Sequence, residues 1–161
     1  MLRERPDAQF ICTGMKGISQ IQDWVRELKI GGSVTLLESV SHSEMADLFR
    51  SAQLAVSPSV HDGTPNSLLE AMACGCFPVA GDLESIREWI EPGVNGLIVD
   101  SRDPVSVAAA IVRGLNDSGL RESAANYNRT LIAEHAEYNR CMNRVSDFYR
   151  SAARTRGSVR A

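Results

Sequence analysis

The sequence predicts an α/β fold, a Rossmann-like parallel sheet with helices on both faces. Three observations carry that prediction. Short apolar runs rich in β-formers alternate with segments whose apolar residues recur every three to four positions. Residues 56 to 80 condense the pattern into an apolar strand, a Gly/Pro turn, a short helix and a second apolar strand. Strands that alternate with helices assemble as right-handed βαβ units, which places the strands parallel and covers both sheet faces. At 161 residues a single domain is expected, able to bury roughly 70% of its unfolded surface.

The chain begins with an apolar strand, Gln9 to Thr13, that stops at Gly14, and Ile18 to Leu28 then has helical spacing. Ser33 to Val40 is β-rich. Ser41-His-Ser-Glu44 starts a helix with a capping box, serine followed three residues later by glutamate, and Met45, Leu48 and Phe49 share one face of it. Gln53 to Val56 is the third strand, Pro65 to Cys74 a helix, and Phe77 to Ala80 the fourth strand. Ser85 to Ile90 gives a short helix and Gly96 to Val99 the fifth strand. From Pro104 the spacing of Val107, Ala110, Ile111 and Leu115 is helical, and a last helical stretch runs from about Leu120 to Ala152, with room for an interruption. The five parallel strands are thus expected near 9–13, 34–40, 53–57, 77–80 and 96–99. Residues 1–152 form the expected domain and 153–161 a basic, disordered tail. Arg140 to Ala161 carries six arginines against one aspartate, which reads as a solvated helix face and a frayed end.

Bulk composition narrows the function classes. A net charge of −3 gives no whole-chain reason to expect nucleic acid or membrane as a partner. No apolar run reaches the roughly 18 residues that a membrane helix needs. Cys74 and Cys76 lack the partner pair or histidines of a zinc site, and the four cysteines read as buried thiols of a reducing, cytoplasmic setting. Neither a metal nor a cofactor is expected. His42, His61 and His135 do not form a constellation and read as surface or capping residues.

The chemistry concentrates in Val56 to Ala80. Thr64 can cap the following helix through its hydroxyl, Pro65 suits the first helical position, and Gly75 suits the left-handed residue past the helix end. The helix start then offers free backbone N–H groups at the mouth of a strand–turn–helix unit, an arrangement that favours anions and phosphate especially. Asp62 and Glu70 stand eight positions apart across that turn. Anion-binding amides flanked by carboxylates that accept sugar hydroxyls make the chemistry of a nucleotide-sugar pocket.

The run Asp62-Gly-Thr-Pro-Asn-Ser-Leu-Leu-Glu-Ala-Met-Ala-Cys-Gly-Cys-Phe-Pro-Val79 also resembles the two-glutamate motif of glycosyltransferase family 4, the group 1 retaining transferases of GT-B fold. The family pattern is roughly E-G-x-P-N-x-x-L-E-A-M-A-x-G-x-P-V; Phe77 is an extra residue and Asp62 replaces the first glutamate. Arg5 to Gly14 resembles the family's second strand, Val34 to Ser57 its third strand, third helix and entry to the fourth, and Glu91-Pro-Gly-Val-Asn-Gly-Leu-Ile-Val99 its glycine-flanked strand near the domain end. The resemblance covers about the first hundred residues.

It implies roles for named residues. Glu70 corresponds to the glutamate that accepts hydrogen bonds from the ribose hydroxyls; without that context it would read as a surface residue. Asp62 corresponds to the carboxylate that contacts the donor sugar near the reacting centre. It is shorter by about one bond length, roughly 1.5 Å, and its alternative role is to close the Asp-Gly turn. Gly63 allows close backbone approach, although a turn also favours glycine. The amides of Asn66, Ser67 and Leu68 fall to the diphosphate, and Gly14 and the Val40-Ser41 edge to the base.

The resemblance also implies what this chain departs from. The family's domain opens with a strand, a Gly-Arg-Leu turn and a Lys-Gly whose cations neutralise the diphosphate. Here Met1-Leu-Arg-Glu-Arg-Pro resembles the end of the first helix, and Lys16-Gly17 follows the second strand and is not the missing pair. In the order 3-2-1-4-5-6 the absent strand is central, so its loss leaves two sheet halves with an unpaired seam unless another strand, an altered pairing or a partner chain repairs it. The expected function is the C-terminal, donor-binding half of a retaining glycosyltransferase. Its partners are a nucleotide-diphosphate sugar and an N-terminal acceptor domain, and any membrane association would come through the full-length enzyme. The chain alone is expected to be inactive. The alternatives are a non-catalytic nucleotide-sugar-binding or interaction fragment, and the half-domain of a GT-B epimerase or phosphorylase. A Rossmann oxidoreductase is disfavoured because no G-x-G-x-x-G follows the first strand.

Overall fold

In the computed structural model, residues 1–158 are described, with side chains to 153. The elements are β1 (Phe10–Cys12), α1 (Ser19–Glu27), β2 (Val34–Leu36), α2 (His42–Ser51), β3 (Leu54–Ser57), α3 (Asn66–Cys74), β4 (Phe77–Gly81), α4 (Glu84–Arg87), β5 (Leu97–Val99), α5 (Pro104–Asn116), α6 (Ser118–His135) and α7 (Tyr138–Ser158). All five expected strands are present, and every ladder between them is parallel.

They do not form one sheet. β1 pairs with β2, Phe10 opposite Val34, while β3, β4 and β5 form a separate three-stranded sheet in that order. An order of 3-2-1-4-5-6 with the first strand absent leaves these two groups. The two halves expected from the absent strand are thus present, and the seam lies between β1 and β3.

β2 is shorter than the expected 34–40, and its ladder ends for a local reason. Leu37 N–H still reaches Cys12 O at 2.9 Å, but Gly14 takes a φ of 72° and turns the chain away. Met15 and Lys16 N–H then both converge on Leu37 O, at 3.0 Å each.

The core lies around the three-stranded sheet. Every residue of β4 is buried, so its apolar run is continuous, as expected of a strand covered on both faces. Alternate β4 residues feed two clusters. Phe77 and Val79 pack with Leu97, Val99 and Ala110 of α5, and Ala80 packs with Leu68 and Met72 of α3, Ile86 and Ile90. α6 joins both, Ala124 to the first and Leu131 and Ile132 to the second. By contrast α1 and α2 bury no residue fully, and β1 and β2 are only half covered.

A buried polar clasp ties the loop before β5 to α6. Asn95 Nδ2–H donates to Asn128 Oδ1 at 2.8 Å, and Asn128 Nδ2–H returns a bond to Asn95 O at 2.9 Å. Asn95 also accepts from Glu91 N–H and donates to Trp89 O. Both amides are satisfied, so their burial is tolerated.

The last helical stretch is two helices broken at Ala136 and Glu137. The Glu137 carboxylate accepts from Asn139 N–H at 3.0 Å and Arg140 N–H at 2.7 Å, capping α7. α7 continues to Ser158, so residues 153–158 of the expected tail extend this helix, and 159–161 lie outside the described residues. Among the described residues no helix is long and apolar enough to cross a membrane.

Candidate functional site

The site candidates surround the start of α3, which is built differently from the start of α2. At α2 the expected capping box is present: Ser41 Oγ accepts from Glu44 N–H, and Glu44 Oε2 accepts from Ser41 N–H at 2.8 Å. The start of α2 is thus closed by its own side chains. At α3 no side chain caps the helix, and its first turn carries no acidic residue.

The expected Thr64 cap is corrected here. Pro65, with an extended ψ of 119°, is the capping residue, and the helix begins at Asn66. Proline holds φ near the helical value but leaves ψ free, so the helix entry moves one residue on. Pro65 O accepts from Leu68 N–H at 3.0 Å and from Leu69 N–H at 3.3 Å. Of the three amides assigned to an anion, Leu68 is therefore engaged, and its side chain is buried. The N–H groups of Asn66 and Ser67 have no partner among the described residues. Both residues are exposed, and the helix dipole gives them a partial positive potential.

The loop from β3 to α3 is held from outside. Ser85 Oγ–H, in α4, reaches Gly63 O at 3.1 Å and Asp62 O at 3.4 Å. Backbone carbonyls take these bonds, and the Asp62 carboxylate has no partner among the described residues. It forms none of the local bonds that closing an Asp-Gly turn requires. Gly63 lies in open space, where an added Cβ would meet nothing within 4 Å, and its φ is not positive. The loop conformation does not demand glycine at that position. Gly75, in contrast, ends α3 with a φ of 97°, as the sequence predicts.

Glu70 lies in the second turn of α3. Its Oε1 accepts a 3.1 Å bond from Nε2 of His42, the first residue of α2. A carboxylate only accepts, so His42 carries its proton on Nε2. The glutamate side chain is 41% exposed, and no bond engages Oε2. Sequence reasoning missed this partnership. Its one available signal was that His42 follows the Val40-Ser41 edge assigned to the base.

Gly14 and Val40 lie just past β1 and β2, joined by Gly14 N–H to Glu38 O at 3.2 Å. His42 links that end of the small sheet to Glu70. Two clefts flank the region. One, of about 260 Å³, occupies the seam and is lined by Ile11 and Thr13 of β1, Val56 and Ser57 of β3, Phe49 and Ser67. The other, of about 410 Å³, is polar and lined by Ser59, Asp82, Asp100, Ser101 and Arg102 at the ends of β4 and β5. Ser67 opens into the seam, whereas Asp62 and Glu70 line neither cleft and stand on the open surface.

Cys76 is buried and donates to Phe49 O at 2.9 Å; burial, then the neighbouring Cys74, push its thiol up to about 11. Cys12, Cys74 and Cys141 are half-buried, which corrects the expectation of four buried thiols.

Three comparisons bear on this arrangement. Residues 1–117 match the family described as Glycosyl transferases group 1. A D-inositol 3-phosphate glycosyltransferase of Geodermatophilus obscurus is 32% identical over 133 residues, covering 78% of this chain and 30% of that protein. The chain thus spans well under half the length of the curated relatives it matches. A sucrose-phosphate synthase from Thermosynechococcus elongatus superposes with a TM-score of 0.84 at 22% identity, over 91% of this chain and 39% of that one. Anabaena HepE, solved in complex with UDP, superposes with a TM-score of 0.83 at 18% identity, over 91% of this chain and 42% of that one.

Proposed function

The chain belongs to the group 1 glycosyl transferases and shares the GT-B fold, and from that premise we propose that it is the donor-binding part of a retaining transferase that uses a nucleotide-diphosphate sugar. The observation that carries the reading is the uncapped start of α3, with two free N–H groups and carboxylates on either side of it in sequence. The amides of Asn66 and Ser67 take the diphosphate, since unengaged N–H groups at a helix start stabilise negative charge. Glu70 accepts from the ribose hydroxyls, and a charged acceptor makes those bonds strong. Asp62, with its carboxylate unengaged and Gly63 leaving open space beside it, faces the donor sugar. The end of the β1–β2 pair, at Gly14 and Val40, takes the base.

On this reading the reaction breaks the bond between sugar and diphosphate and forms one to an acceptor oxygen, with the anomeric configuration kept. The helix amides stabilise the negative charge that develops on the leaving diphosphate, and the carboxylates position the sugar. The acceptor wall comes from polypeptide outside this chain, and the setting is cytoplasmic. Crystals of Anabaena HepE with UDP and with UDP-glucose support a nucleotide-sugar partner.

Titration of the 161-residue chain with UDP and GDP tests this reading. It predicts saturable binding weaker than micromolar and no sugar transfer, because each lost charge-assisted contact costs about 1.5–3 kcal/mol, so two are worth roughly a hundredfold or more. No binding of either nucleotide would overturn the donor-site assignment, and micromolar or tighter binding would overturn the weak-site account.

A further inference from the structure

We infer that His42 is a positioning residue for nucleotide recognition: it holds the Glu70 carboxylate in the orientation that accepts ribose hydroxyls. This rests on the donor-site reading above and adds to it a residue that neither the motif nor its spacing contains.

The geometry is specific. His42 Nε2–H donates to Glu70 Oε1 at 3.1 Å across the contact between α2 and α3. The imidazole is 84% exposed, so it serves no packing purpose that would explain its placement. Its backbone is fixed by the Ser41–Glu44 capping box, in which Glu44 Oε2 accepts from both Ser41 N–H at 2.8 Å and Ser41 Oγ–H at 2.7 Å. The box turns Glu44 Oε2 toward Ser41, and the histidine bonds to Glu70 instead. A free glutamate on a helix surface samples many rotamers, and ordering it when a ligand binds costs affinity. The bond from His42 anchors Oε1 in advance and leaves Oε2 open.

The bond also spans the seam. It ties the α2 start, which follows the small sheet, to α3, which packs on the large one. His42 therefore adds a bond between the end that takes the base and the carboxylate that takes the ribose, beside the packing of α2 on α3.

The test titrates UDP and 2′,3′-dideoxy-UDP into the 161-residue chain by ligand-observed NMR, for wild type, His42→Ala, His42→Gln, Glu70→Ala and the His42→Ala/Glu70→Ala double variant. Wild type binds UDP more tightly than the dideoxy analogue. His42→Ala weakens UDP on the order of three- to tenfold, the range for one lost hydrogen bond, and leaves the analogue unchanged. His42→Gln, whose amide N–H can donate, restores most of the loss. The double variant is no weaker than Glu70→Ala alone, the signature of residues that act as a unit. A ¹⁵N spectrum of His42 shows the Nε2–H tautomer in wild type.

Equal losses for both ligands in His42→Ala, full additivity in the double variant, or no loss at all would overturn the inference while the donor site stands. Wild type that fails to distinguish UDP from its dideoxy analogue, or Glu70→Ala that still distinguishes them as wild type does, would overturn the ribose assignment and this inference together.

Discussion

Ile11 of β1 and Val56 of β3 line the same cleft from strands that belong to different sheets. Ile11 is 49% exposed and Val56 39%, an unusual state for apolar residues on strands in the middle of a molecule. The two sheet edges leave their backbone groups without a neighbouring strand, and the apolar surface between them is open to water.

That relationship predicts an uneven stability. The amides of Phe10 to Cys12 and Val34 to Leu36 sit in a two-stranded ladder with no fully buried residue, whereas those of β4 lie in the core. Native-state hydrogen exchange should show the small sheet opening first, well below the global unfolding free energy. Equal protection in β1 and β4 would contradict the two-sheet arrangement.

The Asn95–Asn128 clasp should be worth more than a surface contact. Asn128→Leu leaves the Nδ2–H and O of Asn95 without that partner in a buried site, at a cost of about 2–3 kcal/mol. Urea unfolding measures it, and a loss below about 1 kcal/mol would show the clasp to be replaceable by water.

Cys76 supplies a pH-linked probe. Burial raises its thiol from the usual value to about 11 in the folded chain, so folding favours the neutral form. The contribution is complete below about pH 9 and disappears as pH rises through about 11. At pH 8 the thiolate is scarce and sequestered, so iodoacetamide should modify Cys76 last and only on unfolding, as read by peptide mass spectrometry. Early labelling of Cys76 would contradict its burial.

What was legible in the sequence is what local rules govern. The strand at Phe77 announces itself by an apolar run, the Ser41–Glu44 box by its spacing, and the end of α3 by Gly75. The split between β1 and β3 was legible only through a resemblance that supplied a strand order, because pairing between distant segments leaves no local trace. Thr64 misled because serine-like hydroxyls cap so often; Pro65 took the position by adopting an extended ψ. The break at Ala136 and Glu137 has no proline or glycine to mark it. His42 and Glu70 are 28 positions apart, and nothing in either neighbourhood encodes their bond.

The two carboxylates should separate kinetically in the longer transferase of the proposal. Asp62, facing the sugar being transferred, acts where bonds change, so Asp62→Asn should lower kcat more than it raises KM. Asp62→Glu, which restores the family residue and its reach, should keep activity or shift sugar preference. Steady-state kinetics in which Asp62→Asn changes neither parameter would reduce Asp62 to a loop residue.

The central claim is that the uncapped start of α3 binds the diphosphate, and a UDP titration followed by backbone amide NMR tests it most directly. The N–H groups of Asn66 and Ser67 are without partners, so their resonances should move first and furthest, joined by Gly63, while the engaged Leu68 amide moves less. Largest shifts instead around Asp82 and Arg102, with Asn66 and Ser67 still, would place the ligand in the polar cleft beside β5 and contradict the account.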